Sequence, residues 1–185
     1  MARCSWQHRE VLWAQERMTE MVALHPKLVP LLERMRELIE PMRERIGHQR
    51  LLWWKTLPSV YTGDGFAVVH ASPGDLWRAP MANASDEEVQ KTYVGLDIPT
   101  VVNGHILVSY VRRLPGMTVA NAGSVSQSYD GDRRAAFAVI DGGNVTIRRV
   151  EYDVEREAKD LLWSGLPHAQ WLSQILLAGR YCPPD

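Results

Sequence analysis

The chain has 185 residues, a length typical of one domain. Its 45% hydrophobic and 23% charged residues are typical of a globular protein with a single core. The formal net charge of −1 provides no basic excess for contacting a phosphate backbone, so nucleic acid is not an expected partner.

The chain has two cysteines, Cys4 and Cys182, near its opposite ends. They are too few for a disulfide framework or a cysteine-based zinc site, and they are typical of a reducing compartment. No run approaches the roughly 18 apolar residues that a membrane span needs, and residues 1–10 lack the apolar segment of a signal peptide. We therefore predict a cytoplasmic protein without a membrane segment.

Helical patterns dominate the first part of the chain. Apolar residues recur at helical spacing in residues 5–24, and Pro26 ends this pattern. A second pattern covers residues 27–46, where we expect Pro41 to kink or interrupt the helix. Residues 1–58 are therefore predicted to form a helical segment that covers a sheet.

The next part changes to the alternating pattern of strands. Residues 59–69 alternate around a Gly-Asp-Gly turn and predict a hairpin that ends at His70. Ser85 followed by Glu88 is a capping box and predicts a helix of two to three turns.

The stretch from Thr100 to Ser126 contains the second histidine of interest. A β-branched run at residues 100–102 predicts a strand, and His105 follows it closely. A second extended run begins at Val108, and the small residues at 121–125 indicate a loop that allows close backbone approach.

The last part combines a hairpin with helices. Residues 134–140 and 144–152 are predicted strands joined at Asp141-Gly142-Gly143, and helical patterns resume at Val154 with a break at 165–167. This order predicts one domain of the layered α/β (α+β) class, with a largely antiparallel or mixed sheet covered by helices. Residues 59–185 would form its main body.

His70 and His105 are the candidate metal ligands, since both follow predicted strands. Neutral imidazole commonly binds zinc, iron and related ions, but two separated histidines are a weak signal. The residues alone favour strand-end histidines that hydrogen-bond the backbone. The remaining histidines are interpreted as surface or packing residues: His8, His25, His48 and His168.

The aspartates and paired arginines add little to this site. Asp75 lies close after His70 and is the acid most worth testing, although it and four others all occur in turn contexts that favour aspartate: Asp64, Asp130, Asp132 and Asp141. The pairs Arg112-Arg113 and Arg133-Arg134 are possible phosphate contacts, but adjacent strand residues point to opposite faces.

Five segments, in order and spacing, resemble the C-terminal half of calcineurin-like metallophosphoesterases, and most closely the small bacterial and archaeal phosphodiesterase-type members. These segments are residues 68–73 (VVHASP), 102–105 (VNGH), 119–125 (VANAGSV), 129–137 (YDGDRRAAF) and 152–155 (YDVE).

The resemblance implies part of an α-β-β-α sandwich, with residues 59–185 as the C-terminal half of the domain. It implies hydrolysis of a small phosphoester by a metal-activated water. His70 and His105 would bind the same divalent ion, of the manganese, zinc, iron or nickel class. The loops at this site would contain the following residues: Asn103, Gly104, Asn121, Gly123 and Ser124.

The chain also departs from the family pattern. Leu107 occupies the position of the family's second loop histidine, and the Asp-x-His, Gly-Asp and Gly-Asn-His-Asp motifs of the family's first half do not occur. The resemblance therefore implies at most one metal site and impaired hydrolysis, and it assigns no catalytic residue. One alternative is a truncated, non-catalytic remnant that serves as a binding or scaffolding module. Another is a helix-sheet interaction protein without phosphoesterase ancestry.

Absence of the family's first half also predicts an uncovered apolar sheet face. We expect self-association, a separate chain that supplies the missing half, or cover by the helices before residue 47. A truncated or split reading frame would have the same consequence.

Overall fold

The computed structural model describes residues 29–184. Its described residues form two compact units, of which unit 1 comprises residues 29–57, 155–174 and 182–184, and unit 2 comprises residues 58–154 and 175–181. The helix predicted for residues 5–24 lies outside the described residues, as does Cys4. The prediction that residues 1–58 cover a sheet stays a prediction.

Unit 1 is helical. Helix α1 is Val29–Ile46 and continues through Pro41, while α2 is His48–Lys55. Helices α4, Val154–Trp163, and α5, Ala169–Ala178, are separated by the break predicted at 165–167, and residues 155–163 of α4 and 169–174 of α5 belong to unit 1.

Polar contacts join these helices within unit 1. The Nε2 atom of His168 lies 2.7 Å from Oε2 of Glu37 in α1. Arg45 donates a hydrogen bond to the carbonyl oxygen of Ser164. The guanidinium of Arg34 lies over the ring of Trp171, 5.7 Å from its centroid. Charged groups on α1 therefore contact both α5 and the segment that joins it to α4.

Unit 2 contains a five-stranded mixed sheet in the order β1-β2-β3-β5-β4. Strands β1 (Val60–Gly63) and β2 (Phe66–Val69) form the predicted antiparallel hairpin. Strand β2 pairs in parallel with β3 (Thr100–Asn103), which pairs in parallel with β5 (Met117–Asn121). Strand β4 (Tyr110–Leu114) is antiparallel to β5. The predicted mixed α/β class is confirmed.

Helix α3 (Asp86–Tyr93) connects β2 to β3 and packs on one face of this sheet. The predicted capping box is confirmed at its start, because the hydroxyl oxygen of Ser85 accepts a hydrogen bond from Glu88 N at 3.1 Å. Its Val89 and Tyr93 are fully buried against the sheet. Burial of this apolar face holds the helix on the sheet.

A second sheet packs on the opposite face. Strands β6 (Ala135–Asp141) and β7 (Asn144–Val150) form the second predicted hairpin, and Val145 packs against Val102 and Ala120. Unit 2 is therefore layered as helix, five-stranded sheet and two-stranded sheet. Strand β3 lies between two cores, which is why all four of its residues are buried.

The parallel strands determine where the candidate site lies. Strands β2, β3 and β5 run in the same direction, and their carboxyl ends lie side by side, with Asn103 in register with Asn121. His70 directly follows β2 at this same edge. The sheet therefore brings together polar residues that are far apart in the sequence.

Candidate functional site

His70 and His105 are in direct contact. His105 Nδ1 lies 3.0 Å from His70 Nε2, and the ring centroids are 4.9 Å apart at an interplanar angle of 76°. The carbonyl oxygen of His70 accepts hydrogen bonds from Gly104 N at 3.1 Å and from His105 N at 3.0 Å. These backbone bonds hold the start of the loop after β3 against the end of β2.

The two facing nitrogens require either a proton or a metal ion between them. Two neutral imidazole lone pairs repel each other at this distance, so either one nitrogen carries a proton or both bind a shared ion. The nitrogens of two imidazoles on one zinc ion, bound at about 2.0–2.1 Å, lie roughly 3.3 Å apart. The observed 3.0 Å is therefore compatible with a hydrogen bond and close to the spacing of a shared ion.

Leu107 lies two residues beyond His105 and has no ligand atom in its side chain. It is buried and has a φ angle of 57°, which is unusual for a residue other than glycine. Its carbonyl oxygen accepts a hydrogen bond from Tyr129 N at 3.0 Å. The position that resembles the family's second loop histidine is thus occupied by an apolar side chain on a constrained backbone.

Two buried asparagines join the ends of β3 and β5. Asn121 Nδ2 donates to Asn103 Oδ1 at 2.6 Å, and Asn121 Oδ1 accepts from Gly123 N at 2.9 Å. Gly123 has a φ of 75°, and a Cβ there would lie 3.0 Å from the side chains of Ser109 and Ala136. Close approach of the neighbouring segments therefore requires glycine at this position.

The remaining predicted loop residues have structural contacts. The hydroxyl oxygen of Ser124 accepts from Ser126 N at 3.2 Å, and the Ser124 carbonyl accepts from Ala136 N at 2.7 Å. Gly104 forms the backbone bond to His70 given above. A role for these residues in binding a phosphoester stays a prediction.

Two tyrosines lie near these strand ends. Burial raises the pKa of Tyr93, and the hydroxyl of Tyr93 donates to the Ala71 carbonyl at 2.7 Å. Burial likewise raises the pKa of Tyr110, although the neighbouring Asn103 and Arg112 side chains offset part of the increase. Neither phenol is suited to act as a base near neutral pH.

Asp75 forms a local turn, as the sequence context predicts for aspartate. Its Oδ1 accepts a hydrogen bond from Trp77 N at 2.8 Å. Between residues 29 and 184, no group of three or more histidine, cysteine, aspartate or glutamate side chains is arranged to hold a metal ion. A zinc site needs at least three protein ligands, and harder ions need more oxygen ligands. The described residues therefore do not fit a complete metal centre.

One polar cluster, at the far end of the loop that contains His105, is not predicted by the sequence. Asp130, interpreted as a turn residue, forms an ion pair with Arg149 across 2.5 Å. A signal was available, because Arg149 shares a strand face with Val145 and Ile147, which point toward the core. A charged residue on a core-facing position must be paired.

No described helix is both long enough and apolar enough to cross a membrane.

Comparison with known proteins identifies similar solved structures only. No family model and no curated protein matches the chain. A metallophosphoesterase from Sphaerobacter thermophilus matches with a TM-score of 0.64 and 25% identity over 74% of this chain and 65% of that chain. The hypothetical protein PH1004 from Pyrococcus horikoshii OT3 matches with a TM-score of 0.64 and 17% identity over 75% of this chain and 57% of that protein.

The chain thus spans less than two thirds of the length of either solved structure. The match covers about three quarters of the chain, and its partial coverage of the solved structure fits a chain that contains part of the fold. The chain therefore has a calcineurin-like metallophosphoesterase fold, of which it contains a part.

Proposed function

We propose that the chain is a metallophosphoesterase-family protein in which hydrolysis of phosphoric esters is impaired. The observation that supports this is the contact between His70 and His105 across 3.0 Å, while no group of three or more histidine, cysteine, aspartate or glutamate side chains among residues 29–184 is arranged to hold a metal ion. Two ligand nitrogens converge where the resemblance places one ion of the family's centre.

The charge of the available ligands supports the proposal that hydrolysis of phosphoric esters is impaired. A neutral imidazole pair offers no negative charge to retain a divalent ion, and it offers no carboxylate to bridge two ions. Asp130 and Asp132, the acids with lowered pKa values in unit 2, are engaged with arginines. We propose at most one ion, of the manganese, zinc, iron or nickel class, and a small phosphoester as the ligand.

Calorimetric titration and turnover assays test this proposal. We expect the purified chain to bind no more than one Mn²⁺, Zn²⁺, Fe²⁺ or Ni²⁺ ion. Binding should be lost in His105→Ala and retained in the control His48→Ala, a change at an exposed helix start. A generic aryl phosphodiester should be hydrolysed slowly or not at all with each ion. Uptake of two ions at micromolar concentration, or rapid turnover, would contradict impairment.

A non-catalytic binding or scaffolding module is the second candidate, and Leu107 favours it. Its side chain is buried and apolar where a ligand would be required for a second ion. This candidate predicts no turnover with any ion and no metal uptake that depends on His105. Slow hydrolysis that disappears in His105→Ala would exclude it in favour of the impaired enzyme.

The proposed partner of unit 2 is a second copy of the chain, and the proposed location is the cytoplasm. Support for self-association comes from the outer face of the β6–β7 hairpin, where Phe137 is 41% and Val150 is 52% exposed. Light scattering should give the mass of a dimer that Phe137→Asp converts to a monomer. A monomeric mass for the unchanged chain would leave a separate chain as the proposed partner.

A further inference from the structure

One carboxylate in unit 2 accepts an unusually complete set of hydrogen bonds. Oδ2 of Asp130 accepts from Ser109 N at 3.1 Å, from Ser109 Oγ at 2.6 Å and from Arg149 Nη2 at 2.5 Å. Its Oδ1 accepts from Ser128 Oγ at 2.7 Å and from Asp132 N at 3.2 Å. We call Ser109, Ser128, Asp130 and Arg149 the Asp130 cluster.

The cluster is charged and largely shielded from water. The side chains of Arg149 and Asp130 are 16% and 12% exposed. Burial alone would raise the pKa of Asp130, but the hydrogen bonds from Arg149, Ser109 and Ser128 outweigh it and hold the pKa well below its ordinary value. Arg149 also donates to Ser109 Oγ, so three side chains form a closed set of contacts.

The cluster holds the end of the loop that contains His105. This loop, residues 104–109, begins where Gly104 N and His105 N bond to the His70 carbonyl, and it ends at Ser109 on Asp130. Between these points, Tyr129 N, beside Asp130, donates to the Leu107 carbonyl. The segment around Asp130 therefore contacts the loop at two positions, Leu107 and Ser109. Arg149, which lies in β7, donates hydrogen bonds to both Asp130 and Ser109.

The loop needs such contacts because its backbone is not relaxed. Leu107 has a φ of 57°, in the left-handed region that side chains other than glycine rarely adopt. Left-handed geometry at Leu107 turns the chain from His105 toward β4. This turn persists only while contacts on both sides fix it.

We propose that Asp130 is a positioning residue that holds the residue 104–109 loop so that the His105 ring contacts the His70 ring. The functional relevance of this contact rests on the proposed function, in which both rings are ligands. The contact itself is a property of the chain and can be measured without any metal ion.

Asp130→Asn tests the proposal because it removes the charge and keeps the shape. We expect loss of the magnetic contact between the ring protons of His70 and His105. We also expect hydrogen exchange of the Tyr129 amide, which does not bond Asp130, to accelerate roughly ten- to a hundredfold. The matched control is Asp132→Asn, which loses contacts to Arg134 and Arg149 but none to residues 104–109; it should leave both signals unchanged.

Val145→Ala separates positioning from general destabilisation. This change leaves a cavity under the hairpin that carries Arg149 without altering any member of the cluster. It should lower stability and preserve the ring contact. The proposal is overturned if Asp130→Asn keeps the ring contact, or if Val145→Ala abolishes it as completely.

Ser109→Ala covers the case in which Asp130→Asn does not fold. It keeps the Asp130–Arg149 pair and the backbone bond from Ser109, and it removes the two bonds of the Ser109 hydroxyl, the one donated to Asp130 and the one accepted from Arg149. We expect a several-fold acceleration of Tyr129 exchange with the ring contact weakened; unchanged exchange with an intact ring contact would overturn the proposal. Failure of metal uptake would favour the non-catalytic module over the impaired enzyme, and it would not change the results of these measurements.

Discussion

The histidine pair and the Asp130 cluster lie at the two ends of the residue 104–109 loop, and they differ in the chemistry of their contacts. In the cluster, a buried carboxylate is matched by a guanidinium and by hydroxyl and backbone donors. In the pair, two imidazole nitrogens face each other across 3.0 Å, and no group of three or more histidine, cysteine, aspartate or glutamate side chains among residues 29–184 is arranged to hold a metal ion. The cluster therefore has the properties of a structural support, whereas the pair brings together two nitrogens of the kind that bind metal ions.

Arg149→Ala should cause the largest loss of unfolding free energy among these variants. It leaves the Asp130 carboxylate buried without its cation, so we expect a loss of about 3–5 kcal/mol in unfolding free energy. The adjacent Arg148→Ala removes an exposed side chain and should change stability by less than about 0.5 kcal/mol. Urea denaturation measures both, and equal losses would show that the cluster is not a strong support.

The acid dependence of stability should differ between Asp130→Asn and the unchanged chain. The folded pKa of Asp130 is below its unfolded value of about 3.9, so its charge stabilises the fold above that pH. This stabilisation is lost as the pH falls toward the folded pKa. The difference in unfolding free energy should be roughly 2–3 kcal/mol near neutral pH and should shrink below about pH 4. A difference that does not depend on pH would contradict this assignment.

Leu107→His should add a third metal-ligating side chain to the histidine pair. It places a third imidazole at the position that resembles the family's second loop histidine. Zinc needs three or four ligands, so we expect affinity for Zn²⁺ to rise roughly tenfold or more. Leu107→Gly is the control, since it fits the left-handed backbone without adding a ligand. Equal affinity in the two variants would mean that position 107 does not face the pair.

His105→Ala should have a smaller effect on stability than the changes at Arg149 and Asp130. His105 is half-buried, and its ring contact to His70 is one hydrogen bond between side chains. We expect a change of about 0.5–1.5 kcal/mol, well below that of Arg149→Ala. Thermal unfolding of both variants checks this order. A larger loss for His105→Ala would make the pair, and not the cluster, the structural support.

Local chemistry explains why much of the fold could be predicted. The hairpin before His70 depends on its Gly-Asp-Gly turn, and the start of α3 depends on the Ser85 hydroxyl and the Glu88 amide. Each involves residues within a few positions of one another. Strand β4 was predicted from Val108 but begins at Tyr110, because Ser109 bonds Asp130 in place of a strand partner.

Pairs of distant residues explain what could not be predicted. Arg149 follows Ser109 by 40 residues, and nothing in either local sequence identifies the other as its partner. Asn103 and Asn121 were assigned to site loops, yet their mutual hydrogen bond depends on the parallel pairing of β3 with β5. Sequence periodicity predicts which face of a strand is buried, but it does not predict which strand lies beside it.

Strand β5 is not indicated by the sequence pattern, whereas the sequence by itself determined both hairpins, the start of α3, the placement of His70 and His105 after strands, and the absence of a histidine at position 107. These features follow from turn residues, alternation and residue identity, all of which are local. Only the tertiary structure decided that the two rings touch and that Asp130 supports the loop between them. The reason is that parallel strands join residues far apart in the chain, and packing alone selects which strands are neighbours.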